Sequence, residues 1–228
     1  MDVAHLIYLL NENAGKEQII LKGEVHKYLV KVLRHITGDT LSLRTKEKLK
    51  TLYTYKITHV EARTLQLQLL SNKEEETKAE KKLHIAWCVI DVKSIEKVLP
   101  SLNEIGVDKI SFIYCDRSQK NFKLDFKRFE RILEASMQQC GRTSFMQFDT
   151  YKNVTAFLHE FPETKVFDFS ENILKGESNF ETVLIGCEGG FSTLEKELLQ
   201  EQEVFRLNTP MVLRSESAAV VVASKILL

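Results

Sequence analysis

The 228-residue sequence predicts an α/β protein in which a mostly parallel sheet carries helices on both faces and follows a smaller, strand-rich domain. Residues 41–70 alternate apolar and polar side chains, the period of half-buried antiparallel strands. Beyond residue 83 the apolar runs lose that alternation and are interleaved with segments that are apolar every third or fourth residue. Strands covered on both faces by crossover helices read this way. Between the two patterns lies NKEEETKAEKK (72–82), a charged stretch without a large apolar anchor. It reads as a linker and sets the domains at 1–72 and 73–228.

In the first domain, LSLRT (41–45), TLYTYKITHV (51–60) and TLQLQLL (64–70) are predicted strands of a small barrel, with Leu65, Leu67 and Leu69 on one face. LKGEVHKYLVKVLRHITGD (21–39) is the exception. Its Val25, Tyr28, Leu29, Val32 and Leu33 recur at helical spacing, and Thr37-Gly38-Asp39 supplies a turn. The opposite face carries His26, Lys27, Lys31, Arg34 and His35, which is either a solvated helix face or a set of phosphate contacts. Residues 1–72 hold eleven Lys and Arg against seven Asp and Glu, while the whole chain is neutral. That excess suits a polyanion-facing module.

In the second domain, LHIAWCVID (83–91) is predicted as a strand. The helical set Ile95, Val98, Leu99, Leu102 and Ile105 follows it and closes at Gly106. The unit repeats as strand KISFIYC (109–115) and a helix through Phe126, Phe129, Ile132, Leu133 and Met137. A third helix near 154–161 precedes strands VFDF (166–169) and TVLIG (182–186). In such sheets ligands bind beyond the carboxyl ends of the strands.

Several function classes find no residues to carry them. No apolar run approaches membrane-spanning length, the N-terminal LIYLL lacks the flanks of a signal peptide, and a cytoplasmic location is expected. The four cysteines stand apart and read as reduced, small core residues. The six histidines show no ligand spacing, so no metal is expected, and no serine sits in GxSxG.

The closing segment concentrates the remaining signals. Strand VLIG runs into CEGGF and then STLEKELL, where Ser192 or Thr193 can cap the helix and Glu195 stands where a capping-box partner of Ser192 would. Gly186, Gly189 and Gly190 allow close backbone approach at a strand's carboxyl end. The spacing is neither GxGxxG nor GxxxxGK[ST], so the turn is either a backbone-lined binding loop for an adenine or amino-acid edge or a tight turn without a ligand. The last helix, through Ala218, Val221, Val222 and Ile226, is apolar on nearly every side and is expected to need a second copy of the chain as well as its own core.

Taken together these segments resemble the RsmE-type 16S ribosomal RNA uridine-N3 methyltransferases of the SPOUT superfamily, over nearly the whole chain. LKGEVHKYLVKVLRHITGD resembles the family's H…VLR…GD signature, Glu104–Val107 its ELGV segment and Asp116–Gln119 its ERS element. ASMQQCGR, ending at Arg142, is similar to its AxxxQxxR helix end. IGCEGGF (185–191) is similar to IGPEGGF, and VLRSESA (212–218) to ILRxETA. Cys187 stands where the family has proline, and LNTPMVLR stands where it usually has the shorter LGxRILR.

The resemblance implies a PUA-like barrel, a C-terminal trefoil knot, S-adenosylmethionine as cofactor, 16S ribosomal RNA or the small ribosomal subunit as partner, and a homodimer. It implies cofactor contacts from Leu184, Ile185, Gly186, Glu188, Gly189 and Gly190 and from Leu207, Asn208, Met211, Val212 and Leu213. Methylation at N3 of an unstacked uridine then needs the base's negative charge stabilised or its proton removed. Arg214 is the first candidate for charge stabilisation and Glu216 for proton removal or for orienting Arg214, with a structural ion pair from Arg214 to Glu216 or Glu188 as the other reading. His26, Lys31, Arg34, Arg117, Gln139 and Arg142 are the expected RNA contacts. A knotted methyltransferase of another RNA or base, and a non-catalytic RNA-binding assembly protein, are the alternative functions.

Overall fold

The computed structural model describes residues 6–118, 123–175 and 180–228. Gln119, the last residue of the DRSQ motif, lies outside them. The chain forms two compact units, Met1–Lys78 with Glu134–Ser144, and Ala79–Leu133 with Phe145–Leu228. The elements of the first are β1 (Leu9–Leu10), β2 (Gln18–Lys22), α1 (Gly23–Lys27) with a π-helical turn over Tyr28–Val32, β3 (Thr40–Arg44), β4 (Thr51–Val60) and β5 (Thr64–Glu74).

These strands make one mixed sheet in the order β1-β3-β4-β5-β2, with β1 parallel to β3 and the rest antiparallel. The alternation read from the sequence sets the register. Leu65 pairs with Leu21 and Val60, Leu67 with Ile19 and Ile57, and the leucines face a core of Leu29, Leu43, Tyr55 and Ile57. Two register shifts in β4 bend that ladder. Strands β1 and β2 have no counterpart among the predicted strands: β1 has two residues, and in β2 the exposed Ile20 between buried Ile19 and Leu21 makes an unbroken apolar run that hides the alternation.

The expected linker is corrected at its start. Residues 72–74 belong to β5, where they pair with Thr51–Tyr53, since a backbone ladder needs no apolar side chains. Glu75 is then held by Arg44, a fully buried residue whose guanidinium donates to the carbonyls of Leu49 and Glu75 and to the Glu75 carboxylate at 3.0 Å. A buried cation is tolerated only with such partners.

The 21–39 segment is also corrected. The helix changes from α to π after Lys27, so the 3.6-residue period fails. Val25 and Val32 face solvent, and His26 is buried with Nε2 3.0 Å from the Glu61 carbonyl. His26 therefore leaves the set of exposed RNA contacts. Arg142 leaves it for a similar reason: it is buried, Nε donates to the Ser144 carbonyl at 2.8 Å, and its own carbonyl accepts from Tyr8 Oη.

The second unit contains β6 (His84–Cys88), α2 (Val92–Ile105), β7 (Lys109–Ile113), α3 (Phe126–Cys140), whose last turns are grouped with the first unit, β8 (Gln147–Tyr151), α4 (Val154–Glu160), β9 (Lys165–Phe167), β10 (Thr182–Ile185), α5 (Thr193–Leu198), β11 (Val204–Phe205) and α6 (Ser215–Leu227). Its six strands are all parallel, in the order β11-β9-β10-β6-β7-β8. Every residue of β6 is buried, which is why its sequence does not alternate. Asp91 caps α2 by accepting from Ser94 N, and Gly106 ends it at φ 107°, a left-handed conformation that glycine enters without strain. β8 was not anticipated, because QFDTY at the sheet edge has no residue fully buried and no apolar run. Among the described residues no helix is long and apolar enough to cross a membrane.

At the amino end of β6, His84 sits between the edges of Phe157 and Phe161 with Nε2 2.8 Å from Ser111 Oγ. Burial, and secondarily Lys109, push its pKa down to about 4. Below the unfolded value near 6.5 the unfolded chain binds this proton and the folded chain does not, so stability present above pH 6.5 is lost as pH falls toward 4. The expected loss is on the order of 3 kcal/mol. Urea unfolding of His84→Gln should show a pH dependence shallower by about one proton across that window. An unchanged slope would contradict the assignment.

Candidate functional site

The site is built at the carboxyl ends of β6, β7, β9 and β10. β10 ends at Ile185 and the chain turns through Gly186–Gly190, closed by Gly190 N donating to the Cys187 carbonyl at 2.9 Å. Gly190 has φ 65°, so the turn requires a residue free to adopt the left-handed region. The Cys187 thiol is buried and lies 3.6 Å from the Gly190 carbonyl, a tether in the position where the resemblance places proline.

The capping box read from the sequence is present. Ser192 Oγ accepts from Glu195 N, and Glu195 Oε2 accepts from Ser192 N at 2.9 Å. It also does something the sequence did not suggest. Glu195 is buried, and its second oxygen accepts from Asp116 N at 2.9 Å, while Ser192 Oγ donates to Asp116 Oδ2 at 2.6 Å. Arg117 Nη1 donates to the Gly189 carbonyl at 2.6 Å. The loop after β7 is thereby bound to the glycine turn, and Arg117, expected to contact RNA, lies across that turn.

Three thiols meet beneath it. Cys115 Sγ is 3.7 Å from Cys187 Sγ and 3.0 Å from Ser118 Oγ. Hydrogen bonding from the Cys187 and Cys88 thiols lowers the pKa of Cys115. The same contact with Cys115, together with burial, raises Cys187, and burial raises Cys88. Cysteines that stand apart in the sequence are thus neighbours in the fold, where the sheet order brings this buried trio together from three separated segments.

The second wall comes from the segment after β11. Thr209 N donates to the Leu207 carbonyl at 2.9 Å, Met211 N to Thr209 Oγ1 at 3.2 Å, and Arg206 Nη1 to the Leu207 carbonyl at 3.2 Å. The segment then enters α6, whose first residue Ser215 donates from Oγ to the Gly186 carbonyl at 2.6 Å and accepts from Trp87 Nε1 at 2.8 Å. The two walls enclose a cleft of about 530 Å³.

Of the expected cofactor contacts, Ile185, Gly186, Glu188, Gly189, Gly190, Leu207, Met211, Val212 and Leu213 line this cleft. Leu184 does not, being buried in the middle of the sheet, and Asn208 is exposed outside the lining. Arg214 lines it and is exposed, whereas Glu216 is part-buried on the first turn of α6 outside the lining. Among the described residues no ion pair joins Arg214 to Glu216 or Glu188. Lys31, Arg34 and Gln139 are exposed on the first unit.

Phe167, Asp168, Phe169, Arg206 and Thr209 also line the cleft and were missed. A signal existed for three of them, since residues 167–169 end a predicted parallel strand, where ligands bind. Thr209 lies inside LNTPMVLR, the segment set against LGxRILR, whereas Arg206 has no such signal, because the two residues of β11 before it are too few to read. Among the described residues no group of three or more His, Cys, Asp or Glu is arranged to hold a metal ion.

Comparisons with known proteins place this geometry. The RNA methyltransferase domain family matches residues 77–227. Ribosomal RNA small subunit methyltransferase E of Helicobacter pylori is 39% identical over 215 residues, 92% of this chain and 95% of the relative. Ribosomal RNA small subunit methyltransferase E 2 of Borreliella burgdorferi is 27% identical over 93% of this chain and 92% of its own length. Among solved structures, the small subunit methyltransferase E of Neisseria gonorrhoeae, bound to S-adenosyl methionine, shares the fold with a TM-score of 0.74 at 16% identity over 96% of each chain.

The Glu195 carboxylate is the tie most exposed to test. Glu195→Ala removes the acceptor of two backbone N–H groups, those of Ser192 and Asp116, and should cost about 2–4 kcal/mol in urea unfolding. A loss under about 0.5 kcal/mol, the level of an ordinary surface change, would show the tie to be dispensable.

Proposed function

The chain belongs to the ribosomal RNA small subunit methyltransferase E family, and on that premise we propose that it transfers the methyl group of S-adenosylmethionine to N3 of a uridine in 16S ribosomal RNA. The observation that carries this reading is one cleft in which the glycine turn, the 207–213 segment and the exposed guanidinium of Arg214 face each other. Its volume lies within the usual range for small-molecule sites. Backbone groups of Gly186–Gly190, apolar Met211, Val212 and Leu213, and the carboxylates of Asp168 and Glu188 suit a ligand with an aromatic base, an aliphatic chain and positive charge. When bound, S-adenosylmethionine supplies a methyl group on a sulfonium centre, electrophilic without assistance.

The chain's own residues do the rest. Arg214 offers its guanidinium to the uracil oxygens, where negative charge collects as N3 loses its proton, and holding that charge lowers the barrier. Glu216 lies outside the cleft lining, so we assign Arg214 the larger share and no direct proton transfer to Glu216. The walls position base and methyl donor together, a substantial contribution in itself.

Three structural features belong to the same proposal. The five-stranded unit acts as a PUA-like RNA-binding barrel, with exposed Lys31 and Arg34 gripping phosphates and Gln139 adding a polar contact. The C-terminal segment threads a trefoil knot. That reading is supported by the 170–174 loop bonded to Val204 and Arg206 while the chain beyond them returns to Gly186 and Trp87. The protein is a homodimer, since Leu194, Leu198 and Val221 of this unit leave apolar surface exposed.

With 16S ribosomal RNA and cofactor, mass analysis of nucleosides should show 3-methyluridine. Arg214→Ala should lower kcat by about a hundredfold while calorimetry finds cofactor affinity unchanged. Absence of 3-methyluridine with a cofactor-binding protein would falsify the assigned base. Sedimentation equilibrium should return twice the 26.3 kDa chain mass, and a monomer at micromolar concentration would remove the dimer.

A further inference from the structure

Resting on that reading, we propose that Phe169 is a stacking platform for a nucleobase of the RNA substrate at the mouth of the cleft. Phe169 is 77% exposed and is the one exposed Phe, Tyr or Trp among the described residues. It also lines the cleft. A ring left in water loses the burial that stabilises aromatic residues elsewhere in the fold, and an apolar neighbourhood is at hand: Phe167 packs on Phe205 at 5.9 Å and Phe180 on Phe205 at 5.4 Å.

Looseness does not explain the exposure. The backbone is anchored on either side of the ring, with Asp168 N donating to the Phe205 carbonyl at 3.1 Å and Ser170 Oγ to the Val204 carbonyl at 3.0 Å. Asn172 Nδ2 shares that last acceptor at 3.2 Å. The ring is held outward by a fixed frame.

What it faces is decided by charge and by the chemistry of the base. Four cationic residues line the cleft, Arg117, Lys196, Arg206 and Arg214, against two carboxylates, Asp168 and Glu188. An exposed aromatic ring beside surplus positive charge is the arrangement that takes single-stranded nucleic acid, the ring stacking a base while the cations meet phosphates. N3 lies on the Watson-Crick edge, so the target uridine has to be unpaired and unstacked, and a protein ring replaces part of the stacking it gives up. The ring sits at the rim, whereas the backbone suited to the cofactor lies along the glycine turn.

The test compares the full-length protein with Phe169→Ala, Phe169→Leu and Phe169→Trp. It measures KM for protein-free 16S ribosomal RNA, the Kd of a uridine-containing single-stranded oligonucleotide, the Kd of S-adenosylmethionine by calorimetry, and sedimentation. Phe169→Ala and Phe169→Leu should raise the RNA KM and Kd roughly tenfold. Phe169→Trp should restore them, and cofactor Kd and sedimentation should not change. The proposal is overturned if Leu serves as well as Phe, if RNA affinity does not change, if cofactor affinity falls instead, or if the alanine variant dissociates to a monomer, which would mean that a second copy covers the ring. A wild-type protein that binds RNA and cofactor but methylates no uridine defeats the functional reading alone, because the binding comparison stands without turnover.

Discussion

The hydroxyl of Ser215 is the point on which the site depends. It accepts from the buried indole of Trp87 in β6 and donates to the part-buried carbonyl of Gly186 just past the end of β10. The indole N–H and the Ser215 hydroxyl would otherwise be buried polar groups without a partner, a condition proteins rarely tolerate. Satisfying them forces the start of α6 against two strand ends. The 207–214 segment must therefore return over the glycine turn, and the cleft is the space between them.

The other side of the cleft is held by a second convergence. Glu195 stabilises the start of α5 as a capping-box residue and at the same time fixes the backbone of Asp116, so one carboxylate holds together the loops after β7 and β10. Arg117 reaches from that fixed loop to the Gly189 carbonyl. Cys187 contributes a buried thiol under the same turn and packs against Cys115 rather than restricting φ as a proline would. A turn rich in glycine is in this way held in one shape by side chains on three elements, which pre-organises it for a ligand.

Charge is arranged differently in the two units. In the first, Arg44 is fully buried and spends its hydrogen bonds on Leu49 and Glu75, holding the chain as it leaves the sheet. In the second, Arg117, Arg206 and Arg214 line the cleft and are partly or fully exposed. Position in the fold, more than residue type, separates a buried structural cation from one left facing solvent.

The sequence by itself determined the α/β class, the strands β3 to β7 and the capping box, because each depends on a local period or a spacing of a few residues. It determined most of the cleft lining as well, through the glycine turn and the VLRSESA segment, which are contiguous in the chain. Only the tertiary structure decided that His26 and Arg142 are buried, since the Glu61 carbonyl receives the first and Ser144 engages the second. It alone showed the thiol trio, the reach of Glu195 to Asp116 and the exposure of Phe169. Those depend on which strands neighbour one another in the order β11-β9-β10-β6-β7-β8, and a non-local pairing of that kind leaves no periodic mark on the residues it brings together.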